Sequence, residues 1–353
     1  MRPTPRTSRT VLAAALLLLA GPAAANDSAA ELAAGGLVLV ETDAISMQRE
    51  DLALSPSEVR VRYEMRNDTG KPVTLRVAFP LPEVPHMTPG GMTTGINDDG
   101  PHNIALRPPA DPNFLRFRVW SNGQEIKPEI EVRALLPDGR DITSQLQEIG
   151  GLKLILQPGL FDSGDNPLSP AAIQKLTALG AYQKLDDTVW RLTWTTKVTF
   201  HWVQTFVPGV TVVEHSYRPV IGFRFINPKD NGTIEASGDG DPKKDFCIDA
   251  STESALHDLQ EQKRHATPDN TLLNGYTLAY ILQTARNWHG PIGTFHLTLT
   301  GGRIDNEMMK GGETRIMSLC TDLPLTRTGP LHFEATVRNY VPKQDLRVLF
   351  VNG

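Results

Sequence analysis

The sequence lacks the short motifs that identify several large classes of enzyme. It has no Gly-x-Ser-x-Gly turn, which exposes the nucleophile of many serine hydrolases, and no Gly-x-x-x-x-Gly-Lys-Ser/Thr loop for phosphate. It also has no His-Glu-x-x-His zinc pattern. We therefore predict no catalytic residue set, no cofactor and no metal site. These absences favour a binding or interaction protein over an enzyme.

Clusters of basic residues and long apolar runs are scarce as well. The formal net charge is −5, and the first 25 residues hold three arginines and no acidic residue, so the remainder carries about −8. Nucleic acids and anionic membrane surfaces attract clustered Lys and Arg. Beyond residue 25, no segment has the roughly 20 apolar residues that a membrane-spanning helix requires. We expect neither a nucleic-acid partner nor stable membrane insertion.

The first 25 residues have the three-part organisation of a secretory signal peptide. Three arginines precede an unbroken apolar run at 11–20, and alanines at 23–25 are the small residues that signal peptidase accepts. The apolar run of ten residues is too short to cross a bilayer. The sequence predicts cleavage between Ala25 and Asn26 and a periplasmic or secreted mature protein. A retained membrane anchor is the alternative.

Cysteine is nearly absent, since Cys247 and Cys320 are the only two. In an exported protein an even pair of cysteines predicts a disulfide. Closing a loop of 73 positions stabilises a fold by about 4 kcal/mol in the chain-entropy model. Two free buried thiols or one catalytic thiol are the alternatives, and no neighbouring residue marks either cysteine as activated.

Alternation of apolar and polar residues predicts a mostly β fold. Residues 59–65 and 73–79 alternate on either side of an Asn-Asp-Thr-Gly turn, which predicts an antiparallel hairpin over 59–79. Further alternating segments predict an antiparallel β-sandwich over 26–225. A smaller β-rich part with one helix and the disulfide is predicted over 226–353.

The alternation is interrupted at about 134–187, where helical signals predict an insertion in the sandwich. Ser169 and Pro170 are typical of a helix start, and Gly180 of a helix end. Asp141 is predicted to cap a shorter helix that ends before Gly150. The segment 85–113, rich in Pro, Gly, Asn and Asp, is predicted to be a long loop.

Two groups of side chains have spacings that metal sites also use. His257, Glu261 and His265 recur at intervals of four, so they share one helix face, and a solvated face is the simpler interpretation. A second group lies in a turn that also contains two lysines, which oppose a cation. It consists of Asp239, Asp241 and Asp245.

A His and Glu pair offers the alternative function, a periplasmic hydrolase of unrecognised type that uses acid–base groups. If the strands containing His201 and Glu214 pair with each other, one imidazole and one carboxylate meet. Trp202 and His215 then point to the opposite faces. A solvated cross-strand pair is the simpler interpretation.

One loop is predicted to contact a ligand. Trp288 and His289 stand between two predicted strands and beside Gly290-Pro291. Loops carry binding residues disproportionately, so we predict Trp288 and His289 as binding residues for an unknown envelope protein or ligand. Closure of one end of the core by the Trp288 ring is the alternative.

The chain resembles the bacterial domain-of-unknown-function 4424 family over nearly all of its mature part. The resemblance rests on Phe-Pro-Leu-Pro at 79–82, Tyr-Arg-Pro-Val-Ile-Gly at 217–222, Asn-Trp-His-Gly-Pro-Ile-Gly at 287–293, and shorter stretches at 26–28, 35–37, 47–52, 59–63, 318–320 and 342–346. It implies an exported protein and no known activity. Residues 59–82 and 198–222 are also similar to the vault protein/inter-alpha-trypsin inhibitor domain, which implies a β-sandwich that serves interactions.

Overall fold

The computed structural model describes residues 28–33, 36–81, 84–85, 112–156, 168–184, 190–219, 221–237, 240–304 and 312–353. The predicted signal peptide, 1–25, and nearly all of the predicted loop 85–113 lie outside the described residues. Within the described ranges, no helix combines the length and the apolar character that crossing a membrane requires.

The protein is mostly β, as the sequence predicts. The first thirteen strands are β1 Ser28–Ala33, β2 Gly36–Val40, β3 Ile45–Leu54, β4 Val59–Asn67, β5 Val73–Pro80, β6 Val84–Pro85, β7 Arg118–Ser121, β8 Gln124–Ile126, β9 Glu129–Leu135, β10 Tyr182–Lys184, β11 Trp190–Leu192, β12 Thr195–Phe206 and β13 Gly209–Tyr217.

The C-terminal part continues with ten more strands. They are β14 Gly222–Pro228, β15 Ile234–Ala236, β16 Leu273–Tyr280, β17 Ile292–Thr300, β18 Arg303–Ile304, β19 Gly312–Glu313, β20 Ile316–Cys320, β21 Thr326–Gly329, β22 His332–Tyr340 and β23 Leu346–Asn352. The helices are α1 Thr143–Leu156, α2 Pro170–Leu179, α3 Pro242–Asp245 and α4 Ala250–Ala266, with a 3₁₀ turn at Gln283–Asn287.

Three larger sheets build the fold. The six-stranded sheet has the order β2-β1-β5-β12-β6, with β9 also paired to β12. The eight-stranded sheet has the order β21-β22-β17-β3-β4-β13-β7-β8, and its β17–β3 pair is parallel. The five-stranded sheet has the order β15-β14-β16-β23-β20. The remaining pairings between these strands are antiparallel.

The inner face of the eight-stranded sheet packs against both other sheets. Phe79 and Phe200 of the six-stranded sheet stack on Phe117, which directly precedes β7, with ring centroids 5.2 and 4.6 Å apart. At the C-terminal side, the hydroxyls of Tyr63 on β4 and Tyr280 on β16 lie 3.5 Å apart in the core. The sandwich therefore buries one face of the eight-stranded sheet, and its other face is the outer face.

The predicted hairpin over 59–79 is wrong, although both of its strands exist. β4 pairs with β3 and β13 in the eight-stranded sheet, whereas β5 pairs with β1 and β12 in the six-stranded sheet. The Asn67 side chain donates from Nδ2 to the carbonyls of Lys71 and Phe206, at 2.7 and 2.8 Å, and so holds this crossing between the sheets. Polarity alternates equally in paired and in facing strands, so the pattern alone does not separate the two arrangements.

The five-stranded sheet is covered by α4 on the face opposite the sandwich. Leu256 and Leu259 of α4 pack with Phe246 and Leu349 in a separate apolar cluster. The N-cap of this helix is Asp249. Its carboxylate accepts a 2.7 Å hydrogen bond from the backbone N–H of Thr252. Cys247 and Cys320 lie at disulfide distance beside this helix, with their Cα atoms 4.9 Å apart.

The predicted helical insertion contains α1 and α2. Ser169 caps α2 by accepting from the backbone N–H of Ala172 at 3.1 Å, and Gly180 ends it with φ +80°. The helical backbone of α1 is interrupted at Gly151, whose φ is +68°, next to the end predicted before Gly150, and a second helical segment follows up to Leu156. Leu146, Leu154 and other apolar residues of α1 and α2 bury a small cluster with Trp194.

The predicted division of the chain at residue 225 stays a prediction. The eight-stranded sheet takes β3, β4, β7, β8 and β13 from one side of this position and β17, β21 and β22 from the other. Its central parallel pair, β3 with β17, joins the two sides by hydrogen bonds.

Candidate functional site

The outer face of the eight-stranded sheet carries a groove of about 660 Å³. Two rows of side chains cross its floor in register over five neighbouring strands, β17, β3, β4, β13 and β7. The first row is His296, Asp51, Arg62, Glu214 and Trp120, and the second is Thr298, Ala53, Arg60, Ser216 and Arg118. We call this surface, defined by these ten residues, the outer groove.

Strand geometry explains why polar residues gather there. Successive side chains of a strand point to opposite faces of its sheet, so in β4 the apolar residues Val61 and Tyr63 are buried while Arg62 between them is half-buried on the outer face. In β13, Val213 and His215 are buried and Glu214 faces outwards. The antiparallel register then aligns the outward residues into rows.

Asp51 is the centre of the charged network. Its carboxylate accepts from Arg49 Nε at 2.9 and 2.8 Å, and Arg62 Nη1 lies 3.7 Å from it. His296 Nδ1 is 3.6 Å from the same carboxylate. Arg62 also donates to Glu64 at 2.8 Å. All of these side chains are partly exposed, so each pair contributes little stability by itself, and the network orients the groups along the groove.

The aromatic end of the outer groove is Trp120. The Arg118 guanidinium carbon lies 4.8 Å from the centroid of the Trp120 ring. Arg118 also makes a bidentate pair with Glu125, at 2.7 and 2.8 Å. This pair holds the guanidinium in place and lowers the pKa of the Glu125 carboxyl, chiefly through the side-chain hydrogen bond from Arg118.

The residues predicted to bind a ligand, Trp288 and His289, lie elsewhere. Trp288 is 3% exposed and packs edge-on against Phe206, with ring centroids 6.1 Å apart. The His289 side chain is 62% exposed and lies 3.7 Å from Asp43. The ring of Trp288 is thus part of the core, and a binding role for this loop stays a prediction.

The acid–base groups named for a hydrolase are not brought together. β12 and β13 do not pair with each other, so His201 lies on the six-stranded sheet and Glu214 on the outer face of the eight-stranded sheet. His201 Nδ1 is 2.9 Å from Arg76 Nη1. The pKa of His201 is lowered, and burial is the main cause. His215 is enclosed in the core by Phe79, Phe117 and Tyr63, with ring centroids 5.0 to 5.5 Å away, and burial lowers its pKa to about 3.

The two groups with metal-like spacing have other partners. Glu261 on α4 lies 3.1 Å from Arg264 and 3.4 Å from His265, on an exposed surface. Asp241 caps α3 by accepting from the backbone N–H of Lys243 at 3.0 Å, and Asp239 lies outside the described residues. In the described part of the chain, no group of three or more His, Cys, Asp or Glu side chains is placed to hold a metal ion.

Most of the outer groove was not found from the sequence. Of the first row, the sequence singles out only Glu214, as a possible partner of a histidine. The signal that was available is the opposite parity of Trp120 relative to Phe117 and Val119, which are buried. A Trp that alternates with buried neighbours in a strand faces outwards, and Arg62 follows the same rule in β4. The alignment of the other groove residues depends on the register between strands that are not consecutive in the chain.

The fold and the outer groove define a mostly β protein with a polar, half-buried site on one sheet face. The chain belongs to the family described as Domain of unknown function (DUF4424), whose sequence pattern matches residues 25–349. The family resemblance stated from the sequence is thereby confirmed.

Comparisons with individual proteins add little. No curated protein matches the chain. Among solved structures, a crystal structure of a protein from Legionella pneumophila, described as a "putative nutrient binding protein", is similar at a TM-score of 0.38 and 13% sequence identity. The match covers 94% of this chain and 72% of that one.

Proposed function

We propose that this protein is an exported, non-enzymatic binding module of the bacterial cell envelope, and that it binds its ligand in the outer groove. One observation carries the proposal: ten side chains from five strands align in register around a cavity of about 660 Å³ that combines charges of both signs, two hydroxyls and a Trp ring. Binding sites commonly combine a concave surface with a few convergent polar groups.

The charge balance of the outer groove suits a polar ligand. Its arginines and Asp51 are held by neighbours, such as Arg60 by Glu58 at 2.9 Å and Arg62 by Glu64 at 2.8 Å. Side chains held in this way keep their geometry when a ligand arrives, which reduces the ordering cost of binding. A pre-oriented polar surface of this kind supports specific, reversible recognition.

The alternative function is a periplasmic hydrolase that uses His and Glu as acid–base groups. Its named residues are spread over the molecule: His201 lies on the six-stranded sheet, His215 in the core and Glu214 in the outer groove. General acid–base catalysis requires its groups within hydrogen-bonding reach of one substrate. This distribution favours the binding module.

Ligand retention by groove variants tests the proposal. The mature protein is incubated with the low-molecular-weight fraction of a bacterial periplasmic extract, and retained compounds are identified by mass spectrometry. Ser216→Trp places a large ring inside the outer groove. Ser46→Trp makes the same change on β3, where Ser46 pairs with Arg66 beyond the groove lining, and serves as the matched control.

We expect a compound that the wild type and Ser46→Trp retain and that Ser216→Trp retains at least tenfold less. Equal retention by both variants, or no retained compound, contradicts the outer groove as the binding site. Recovery of cleaved products in excess over the protein supports the hydrolase instead.

The location is proposed chiefly from the first 25 residues. Signal-peptide cleavage between Ala25 and Asn26 places the mature protein in the periplasm or outside the cell, in agreement with a cysteine pair at disulfide distance. Mass spectrometry of the protein recovered from cell fractions tests this. Intact protein in the cytosol, starting at Met1, contradicts it.

A further inference from the structure

One carboxylate in the outer groove forms no ion pair. Arg60 pairs with Glu58, Arg62 with Asp51 and Glu64, and Arg118 with Glu125. Asp51 is shared by Arg49, Arg62 and His296. Among the residues that the structure describes, none donates a side-chain hydrogen bond to the Glu214 carboxylate or forms an ion pair with it; Arg62, directly opposite on β4, is engaged by Asp51 and Glu64.

The surroundings of Glu214 fit a cationic group. Its direct cross-strand neighbour on β7 is Trp120, and side chains directly opposite on antiparallel strands have Cβ atoms about 5 Å apart. A carboxylate supplies the opposite charge. The face of a Trp ring attracts cations within about 6 Å of its centroid, and since Arg118 covers one face of Trp120, the ligand would use the other face. The hydroxyl of Ser216 lies in the next row.

We propose that the outer groove binds the ammonium group of a small organic cation between the Glu214 carboxylate and the Trp120 ring. This assignment rests on the proposed function, and it names the ligand class of the same site. The ammonium N–H groups donate to the Glu214 oxygens, and the adjacent carbon atoms of the ligand contact the indole. The arginines of the groove are already paired, so the groove offers an anionic ligand no uncommitted cation.

Three probe compounds of equal length separate the ligand classes. They are 5-aminopentan-1-ol, pentane-1,5-diol and 5-hydroxypentanoate, which differ only in one terminal group: cationic, neutral or anionic. Each is titrated into the ¹⁵N-labelled full mature protein, and binding is followed by the backbone resonance of Glu214 and the indole N–H resonance of Trp120. Four variants accompany the wild type.

Glu214→Gln removes the charge and keeps the shape. Glu235→Gln is the matched control, because Glu235 is an exposed carboxylate that pairs with Lys229 on the five-stranded sheet, outside the groove. We expect the amine to bind the wild type and Glu235→Gln within twofold of each other, and Glu214→Gln at least tenfold more weakly. Trp120→Leu is expected to weaken binding of the amine more than Trp120→Phe does, because Phe keeps an aromatic ring face.

Each remaining result overturns the assignment. Binding of the diol or the hydroxy acid as tightly as the amine, unchanged binding to Glu214→Gln, or no binding of the amine excludes an ammonium site at Glu214. If Ser216→Trp still abolishes retention of a periplasmic compound in that case, the binding function of the groove stands and only its ligand class is wrong.

Discussion

Glu214 and His215 are neighbours in the chain and lie on opposite faces of the same sheet. Glu214 faces the outer groove, and His215 is fully enclosed between the sheets among aromatic rings. A single step along β13 therefore separates a candidate ligand-binding carboxylate from a core imidazole. Side chains alternate between the two faces of a strand, and this alternation determines which ionisable groups are available for function.

The buried imidazole of His215 should make the stability of the protein fall in mild acid. Burial lowers its pKa to about 3 in the folded state, whereas an unfolded histidine has a pKa near 6.5. Between these values the unfolded chain binds a proton that the folded protein does not. The free energy of unfolding therefore decreases as the pH falls from 6.5 towards 3, by up to about 1.4 kcal/mol per pH unit.

His215→Phe removes this titration and keeps an aromatic ring in the site. We expect urea denaturation between pH 6 and pH 4 to show a steeper loss of stability for the wild type than for His215→Phe. All other titrating groups are common to both proteins and cancel in the difference. Parallel pH profiles would show that His215 is not a buried neutral imidazole.

The loop at Trp288 gives a test that separates a core residue from a surface contact. Trp288 is 3% exposed against Phe206, so Trp288→Ala is expected to lower the free energy of unfolding by about 3–5 kcal/mol. His289, the next residue, is largely exposed. His289→Ala should therefore change the free energy of unfolding by less than about 0.5 kcal/mol. Urea denaturation measures both. A stable Trp288→Ala protein would restore the case for a ligand contact at this loop.

The link between Cys247 and Cys320 should stabilise the C-terminal part. It joins the segment before α4 to β20 and closes a loop of 73 positions, for which the chain-entropy model gives about 4 kcal/mol. We expect the Cys247→Ala/Cys320→Ala double variant to lose stability of that order in urea. Dithiothreitol should destabilise the wild type to a similar extent and leave the double variant unchanged. An effect of dithiothreitol on both proteins alike would argue against the bond.

The cap of α4 provides a pH-dependent test of local structure. The pKa of the Asp249 carboxyl is lowered, chiefly by the hydrogen bond from the backbone N–H of Thr252. Because the folded-state pKa is depressed, this stabilisation is present above the unfolded pKa of about 3.9 and is lost as the pH falls through the folded-state value. Asp249→Ala should cost about 1 kcal/mol at pH 7.

The difference between wild type and Asp249→Ala should shrink when denaturation is repeated near pH 2.5. Ser251→Ala is the comparison variant, because the Ser251 hydroxyl donates to Asp249 and does not cap the backbone. A cost of Asp249→Ala that is independent of pH, or smaller than that of Ser251→Ala, is incompatible with this cap.

Much of the fold follows from local signals in the sequence. Alternation identifies strands such as β4, β5 and β12, and Ser169, Pro170 and Gly180 mark both ends of α2. These signals work because side-chain period and capping chemistry act over a few residues. These local signals do not determine which sheet a strand joins. For this reason the predicted hairpin over 59–79 is wrong.

The candidate site depends on longer-range information. Asp51, Arg62 and Trp120 are separated by up to 69 positions and are aligned only by the registers of β3, β4, β13 and β7. Register is set by burial of the opposite face over whole strands, which a local reading does not contain. By contrast, the Trp288 loop stands out in the sequence because it is aromatic and close to glycine and proline, and its ring is buried.

Ligand binding on the outer face of the eight-stranded sheet can be tested directly through the Trp side chains. The five Trp indole N–H groups of the chain give separate resonances in a ¹⁵N-labelled sample, and assignment through Trp120→Phe and Trp288→Phe identifies two of them. Addition of the periplasmic low-molecular-weight fraction is predicted to shift the Trp120 resonance and to leave that of Trp288 in place. A shift of the Trp288 resonance with Trp120 unchanged would contradict binding on this face.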